Sequence, residues 1–338
     1  MSTGFFEHQD IARRKTGLLI LLFCAAVVAI VLAVYTVVAL VNVNFGLMQP
    51  DVPHGQTRPE PFWNPQLFSV VTLATMAIIA LGSLYKISEL SAGGEAVALM
   101  LGGRRIHPLT KDFAERQLLN VVEEMALASG VPVPPVYVLD QEDGINAFAA
   151  GHRPGDAVIG VSRGSLDYLD RDELQGVMAH EFSHILNGDM RLNLRLVGVL
   201  HGILILAVIG YYILRGGVHS GGSGKKGGAG AIFLVAIGLI VIGGVGLLFG
   251  RLIKAAVSRQ REFLADASAV QFTRYPAGIA GALKKIGGLS RGSRINDAHA
   301  GEVSHMFFGE AVSALGLDWL GTHPPLADRI RRIDPSFD

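Results

Sequence analysis

Cysteine is nearly absent from this sequence, and its single copy, Cys24, lies inside an apolar run. One thiol excludes an intrachain disulfide framework and a thiolate metal cluster. Charge is scarce too. Charged residues make up 17% of the 338, where a soluble domain carries about 25%. Neither sign prevails, with 29 Lys plus Arg against 29 Asp plus Glu, so nothing points to a nucleic-acid partner. No internal repeat of solenoid length is visible. What is plentiful is apolar: half the residues are hydrophobic and 42 are glycine, a residue that membrane helices carry more often than soluble ones. Composition therefore puts the chain in a lipid bilayer.

Four stretches come near the ~20 residues of helix that cross a hydrocarbon core. They are Leu18–Val41, Leu67–Tyr85, Leu196–Leu214 and Ala231–Phe249. The first follows Arg13-Arg14-Lys15 but is longer than the roughly 7–15 residues of a signal-peptide core, so it reads as a retained anchor. Basic residues mark the cytosolic side. They gather at Arg13–Lys15 and at Arg104, Arg105 and Lys111, while the loop Asn42–Gln66 holds only Arg58. Both termini and the large polar regions are therefore expected in the cytosol. The loop Arg215–Gly230, with Lys225 and Lys226, runs against this rule. It leaves open whether the last two spans cross fully or form a re-entrant hairpin.

Between the spans, Phe113–Ser129 predicts an amphipathic helix with Phe113, Leu118, Val122 and Met125 near one face, ended by Gly130. Strand-like runs follow at Val136–Leu139, Ala147–Ala150 and Ala157–Val161. Asp170 and Glu173 form a capping-box pattern at the head of a helix. That helix carries His180-Glu181-Phe182-Ser183-His184, an H-E-x-x-H motif. Residues four apart on a helix lie one above the other, so both imidazoles can reach one metal ion. Glu181, one step round, can face a water and act as general base. The bland alternative is a charged surface helix without metal.

A catalytic zinc takes a third protein ligand and keeps one position open. Glu262 is the candidate, with Asp266 one turn later placed to orient a ligating histidine. Spacing alone leaves this level with a solvated turn in which Glu262 pairs with Arg259 or Arg261. His299, Glu302 and His305 read as surface or loop residues, and His201 as a neutral histidine buried between helices. Asp143–Ala149 is a turn and strand suited to pairing with an extended substrate, or a plain hairpin. Thr322-His323-Pro324-Pro325, with Arg329 beyond, offers a donor and a cation for an oxyanion, or a proline-stopped turn. The metal helix is expected to run into span three and the Glu262 segment to emerge from span four, which puts the metal near the membrane surface.

These segments, in this order, resemble the HtpX-like membrane metallopeptidases, relatives of the eukaryotic proteases that process prenylated CAAX proteins. The likeness is densest at Asn120–Met125, Ile145–Gly151, Asp172–Gly176, His180–His184, Asn187–Arg191, Glu262–Asp266 and Thr322–Pro325. It implies a mainly α membrane protein, about four transmembrane helices with a cytosolic α+β gluzincin domain and a small β-sheet. On that reading 1–90 is an anchor of two spans and a periplasmic loop, and 193–250 a transmembrane hairpin. The protease regions are then 91–192 and 251–338. The resemblance makes Glu262 the third ligand of one Zn2+ per subunit, assigns substrate-backbone binding to Asn146, Ala147, Phe148 and Ala149, and has His323 and Arg329 assist near the transition state. It implies a multi-pass protein of the bacterial inner membrane that cleaves misfolded membrane proteins or unfolded polypeptides at the cytosolic face. A processing protease with one membrane-anchored or prenylated substrate is the alternative, and an inactive scaffold is opposed by the retained Glu181.

Overall fold

The computed structural model describes residues 4–45, 62–219, 228–311 and 323–337. Most of the loop between the first two spans, residues 220–227 with Lys225 and Lys226, and Thr322 lie outside them. The chain divides into two compact units, Met1–Lys86 with Gly198–Ile253, and Ile87–Val197 with Lys254–Asp338.

The first unit is built from α1 (Gly4–Phe45), α2 (Pro65–Glu89) and the apolar lengths of α7 (Asp189–His219) and α8 (Gly228–Thr273). Among the described residues, four helical stretches are long and apolar enough to cross a membrane: Phe23–Phe45, Pro65–Ala92, Asp189–Gly216 and Gly230–Gly250. The last two therefore have the length of full spans. Glycine lets these helices approach closely. A Cβ on Gly202 of α7 would strike the Ile79 carbonyl oxygen of α2, and one on Gly210 would sit 2.7 Å from the Ala236 carbonyl oxygen of α8. Small residues at such crossings supply the van der Waals packing that associates helices in lipid. Tyr35 ties the start of α2 to α1: its hydroxyl donates to the Phe62 carbonyl at 2.7 Å and accepts from the Asn64 amide at 2.9 Å. His201 is half-buried, its ring 6.3 Å from that of Tyr85.

The second unit is α+β. After α3 (Gly94–Met100) and β1 (Arg104–Arg105), α4 runs Phe113–Ser129, as the sequence pattern predicts. Asp112 accepts hydrogen bonds from the Ala114 and Glu115 amides, and Gly130 closes the helix at φ 70°, so both ends are capped locally. Leu118 and Val122 are fully buried, worth about 1.5–3 kcal/mol each. Phe113 is not on that face; it is 73% exposed, because five and nine residues of α-helix turn it about 140° from Leu118 and about 180° from Val122. The strands β2 (Val136–Leu139), β3 (Ala147–Ala150) and β4 (Val158–Ser162) join β1 in the order β1-β2-β4-β3. β2 and β4 are parallel, and β3 lies antiparallel to β4. The last strand is displaced one residue from the predicted Ala157–Val161, a shift common at element ends.

Helix α5 (Arg163–Tyr168) leads into α6 (Arg171–Asn187), whose Asp170/Glu173 capping box forms in both directions. Gly176 sets α6 against α9 (Pro276–Gly288): a Cβ there would lie 2.5 Å from the Ile279 backbone nitrogen. The metal-motif helix does not run unbroken into the next one. Gly188, at φ 71°, stops α6 and α7 starts afresh at Asp189. By contrast α8 is continuous from the fourth span to Thr273 and carries Glu262 and Asp266 in helical register. α10 (Ala300–Val303) and α11 (Leu326–Ile333) complete the unit.

Candidate metal centre

His180 and His184 project from one face of α6, and Glu262 meets them from α8. Their ligand atoms all lie within 4.8 Å of one another. His180 Nε2 and His184 Nε2 are 3.2 Å apart, and Glu262 oxygens stand 3.6 Å and 3.5 Å from them. A tetrahedral ion with bonds of about 2.0–2.1 Å separates its ligand atoms by roughly 3.3–3.4 Å, so this donor set fits such an ion.

The outer nitrogens fix the tautomers. His180 Nδ1 is bonded to Asp266 Oδ1 at 2.9 Å and His184 Nδ1 to Asp189 Oδ2 at 3.0 Å. With each Nδ1–H donating to a carboxylate, each Nε2 keeps its lone pair for the centre. Burial works to lower the pKa of both imidazoles, yet the carboxylates of Asp266, Asp189 and Glu262 outweigh it and hold both above the ordinary histidine value. The same negative potential favours a dication. Burial likewise opposes ionisation of Glu262, but His323, His180 and His184 keep its carboxyl well below its usual value.

Glu181 is fully buried, and burial pushes its pKa up against the pull of both imidazoles. Neither of its oxygens, nor Nε2 of His323, meets a hydrogen-bond partner among the described residues. Unpaired buried polar atoms cost about 1–3 kcal/mol. Three of them beside a ligand triad mark a place kept for chemistry rather than packing.

The remaining expected site residues fall out differently. His323 does reach the centre, its Nδ1 3.0 Å from Glu262 Oε2. The Arg329 guanidinium is engaged by other groups. Its Nε and Nη2 donate to Asp266 at 2.9 Å and 2.7 Å, and its Nη1 donates to the Phe308 carbonyl at 2.7 Å. Asp266, held below the usual carboxylate range by Arg329 and His180 against the effect of burial, is thus clamped between them.

The edge expected to bind substrate is also committed. Asn146 Nδ2 donates to the Ser293 and Gly309 carbonyls, while its Oδ1 accepts from the Gly309 and Ala147 amides. On the outer side of β3, Phe148 bridges Phe307, and the Ala147 carbonyl accepts from the Phe308 amide at 2.8 Å. Asn146, Ala147 and Phe148 thus hold the chain at 307–309. Phe308 in turn packs its ring edge-on to His180 at 4.9 Å. His305, read from sequence as a surface or loop residue, is buried, with Nε2 3.4 Å from the Asn193 carbonyl, and does not belong to the ligand group.

Two contributors are not placed by spacing, although Asp189 lies in the Asn187–Arg191 segment that carries the resemblance. Asp189 follows His184 by five residues, which on a continuous helix points it to another face. Only the left-handed turn at Gly188 brings it back. Arg261, a candidate partner for its neighbour Glu262, instead pairs with Asp189 at 2.7 Å.

Residues 113–336 match the profile of Peptidase family M48. The chain is 42% identical over 224 residues to a protein named Protease HtpX homolog from Thermoanaerobacter pseudethanolicus, covering 64% of this chain and 70% of that one. The protein of the same name from Dictyoglomus thermophilum is 39% identical over 240 residues, 71% and 74% of the two chains. That from Streptococcus uberis is 33% identical over 258 residues, 75% and 84%. Family M48 implies a metal, and the His180–His184–Glu262 group fits one. With its apolar spans and this buried donor set, the chain belongs to Peptidase family M48, as an HtpX-like membrane metalloprotease.

Proposed function

We propose that His180, His184 and Glu262 hold one zinc ion and that the chain hydrolyses peptide bonds of membrane-associated or unfolded polypeptides. The observation that carries this reading is the convergence of the three ligands beside Glu181, a fully buried carboxylate with no protein partner among the described residues. Zinc bound there supplies a Lewis acid that polarises a carbonyl and makes water nucleophilic near neutral pH. Glu181 accepts the proton of the attacking water and returns it to the leaving amine. His323, anchored through Nδ1 to Glu262, assists the developing oxyanion through Nε2. Asp266, clamped by Arg329, keeps the His180 imidazole turned so that its Nε2 faces inward.

The distribution of basic residues, dense at Arg13–Lys15 and Arg104–Lys111 and thin between the first two spans, supports a site on the cytosolic face of the membrane. A protease so placed suits removal of damaged membrane proteins. The test is hydrolysis of an unfolded protein such as casein by the detergent-purified chain with added zinc, beside Glu181→Gln. The variant should lose about 10²–10⁴-fold in turnover and retain its zinc. Substantial activity in the variant would remove Glu181 as the base. Zinc binding without casein cleavage would favour a processing protease with one substrate.

A further inference from the structure

Each ligating imidazole is backed by a carboxylate, and each carboxylate by an arginine. The inner series, Arg329–Asp266–His180, is sealed in the core. The outer one is Arg261–Asp189–His184, with Arg261 2.7 Å from Asp189 Oδ1 and His184 3.0 Å from Asp189 Oδ2. The two oxygens of Asp189 are thus divided, one to the imidazole and one to the guanidinium. His184 side chain is 13% exposed, Asp189 10% and Arg261 19%, so the series lies just beneath the surface. A carboxylate hydrogen-bonded on one oxygen only can swing about its χ2 axis. Held on both, it fixes the plane in which His184 Nδ1–H must point.

We infer that Asp189, braced by Arg261, is a positioning residue that sets the orientation and basicity of His184 and so tunes the affinity of the centre for its metal. The inference rests on the reading of His180, His184 and Glu262 as the ligands. Chain order supports it. Asp189 opens α7 directly after the Gly188 turn that ends α6, and Arg261 immediately precedes the ligand Glu262 on α8. The pair therefore fastens the end of the histidine-bearing helix to the helix that supplies the third ligand. An ordinary half-exposed ion pair would contribute little to stability and nothing to metal binding. This one shares an oxygen pair with a ligand imidazole, which gives it a separate consequence to measure.

The experiment titrates the metal-free full-length protein in detergent with zinc against a chelating dye, for wild type, Asp189→Asn and Arg261→Gln. Turnover at saturating zinc is measured alongside. Asp189→Asn keeps the size of the side chain but weakens the acceptor, and zinc affinity should fall roughly 10–100-fold. kcat should fall with it, with KM unchanged. Arg261→Gln should weaken zinc in the same direction by less, and Asp189→Glu should restore part of the loss. Wild-type zinc affinity in a folded Asp189→Asn protein would overturn the inference. Should that variant fail to fold, unchanged zinc affinity in Arg261→Gln would overturn it instead. Wild-type protein that bound no zinc would bring down the ligand assignment and this inference together, an outcome distinct from loss of the inference alone.

Discussion

Replacing Arg329 by methionine separates two roles for the same buried cation. The arginine is 1% exposed and gives two hydrogen bonds to Asp266 and one to the Phe308 carbonyl. Its guanidinium also lies 4.8 Å from the Phe308 ring centroid. Arg329→Met retains most of the volume and removes the charge, leaving Asp266 buried with His180 as its remaining partner. Removing one member of a buried ion pair costs about 3–5 kcal/mol. At about 2–4 °C per kcal/mol for a domain of this size, the melting temperature should fall by roughly 6–20 °C. Adding Asp266→Asn removes the stranded charge, so the double variant should be less destabilised than the sum of the singles. Thermal unfolding of the detergent-purified proteins, with and without zinc, measures both terms. A melting temperature and zinc affinity unchanged in Arg329→Met, with turnover severely reduced, would refute the clamp and return Arg329 to the oxyanion role that its sequence context suggests.

Further outcomes follow from other contacts. Chelation should abolish hydrolysis and zinc should restore it, while His184→Ala should bind less than one equivalent of zinc under dialysis; full zinc retention would remove His184 from the ligand set. Asn146→Ala leaves buried backbone groups of Ser293, Gly309 and Ala147 without the amide, for a loss of about 1–3 kcal/mol. A raised KM with unchanged stability would instead identify Asn146 as a substrate contact. Gly160→Ala puts a Cβ into the Phe148 ring and should destabilise the sheet by about 1–3 kcal/mol, read as a lower denaturation midpoint; a neutral effect would show that β3 can yield.

Local rules made much of this protein legible in advance. The apolar runs that become the spans, the capped helix Phe113–Ser129 and the capping box at Asp170 each depend on neighbours a few residues apart. The pairing of His180 with His184 is equally local, because the helical period alone stacks residues four apart. The same period, counted strictly, puts Phe113 opposite Val122, and Phe113 is accordingly exposed.

What the tertiary structure decided is how distant polar groups divide their partners. Sequence motifs name donors and acceptors but not which one each will meet, since that depends on packing across the fold. Glu262 could have paired with Arg261 beside it; instead it faces two histidines, while Arg261 turns to Asp189. Arg329 is spent on Asp266, and the Ala147 carbonyl on the outer side of β3 is taken by the Phe308 amide. Two of the three ligands and the base are written in a five-residue motif. The centre's second layer of carboxylates and arginines exists only once α7, α8 and α11 are packed against α6, because burial makes an unpaired charge too costly to leave alone.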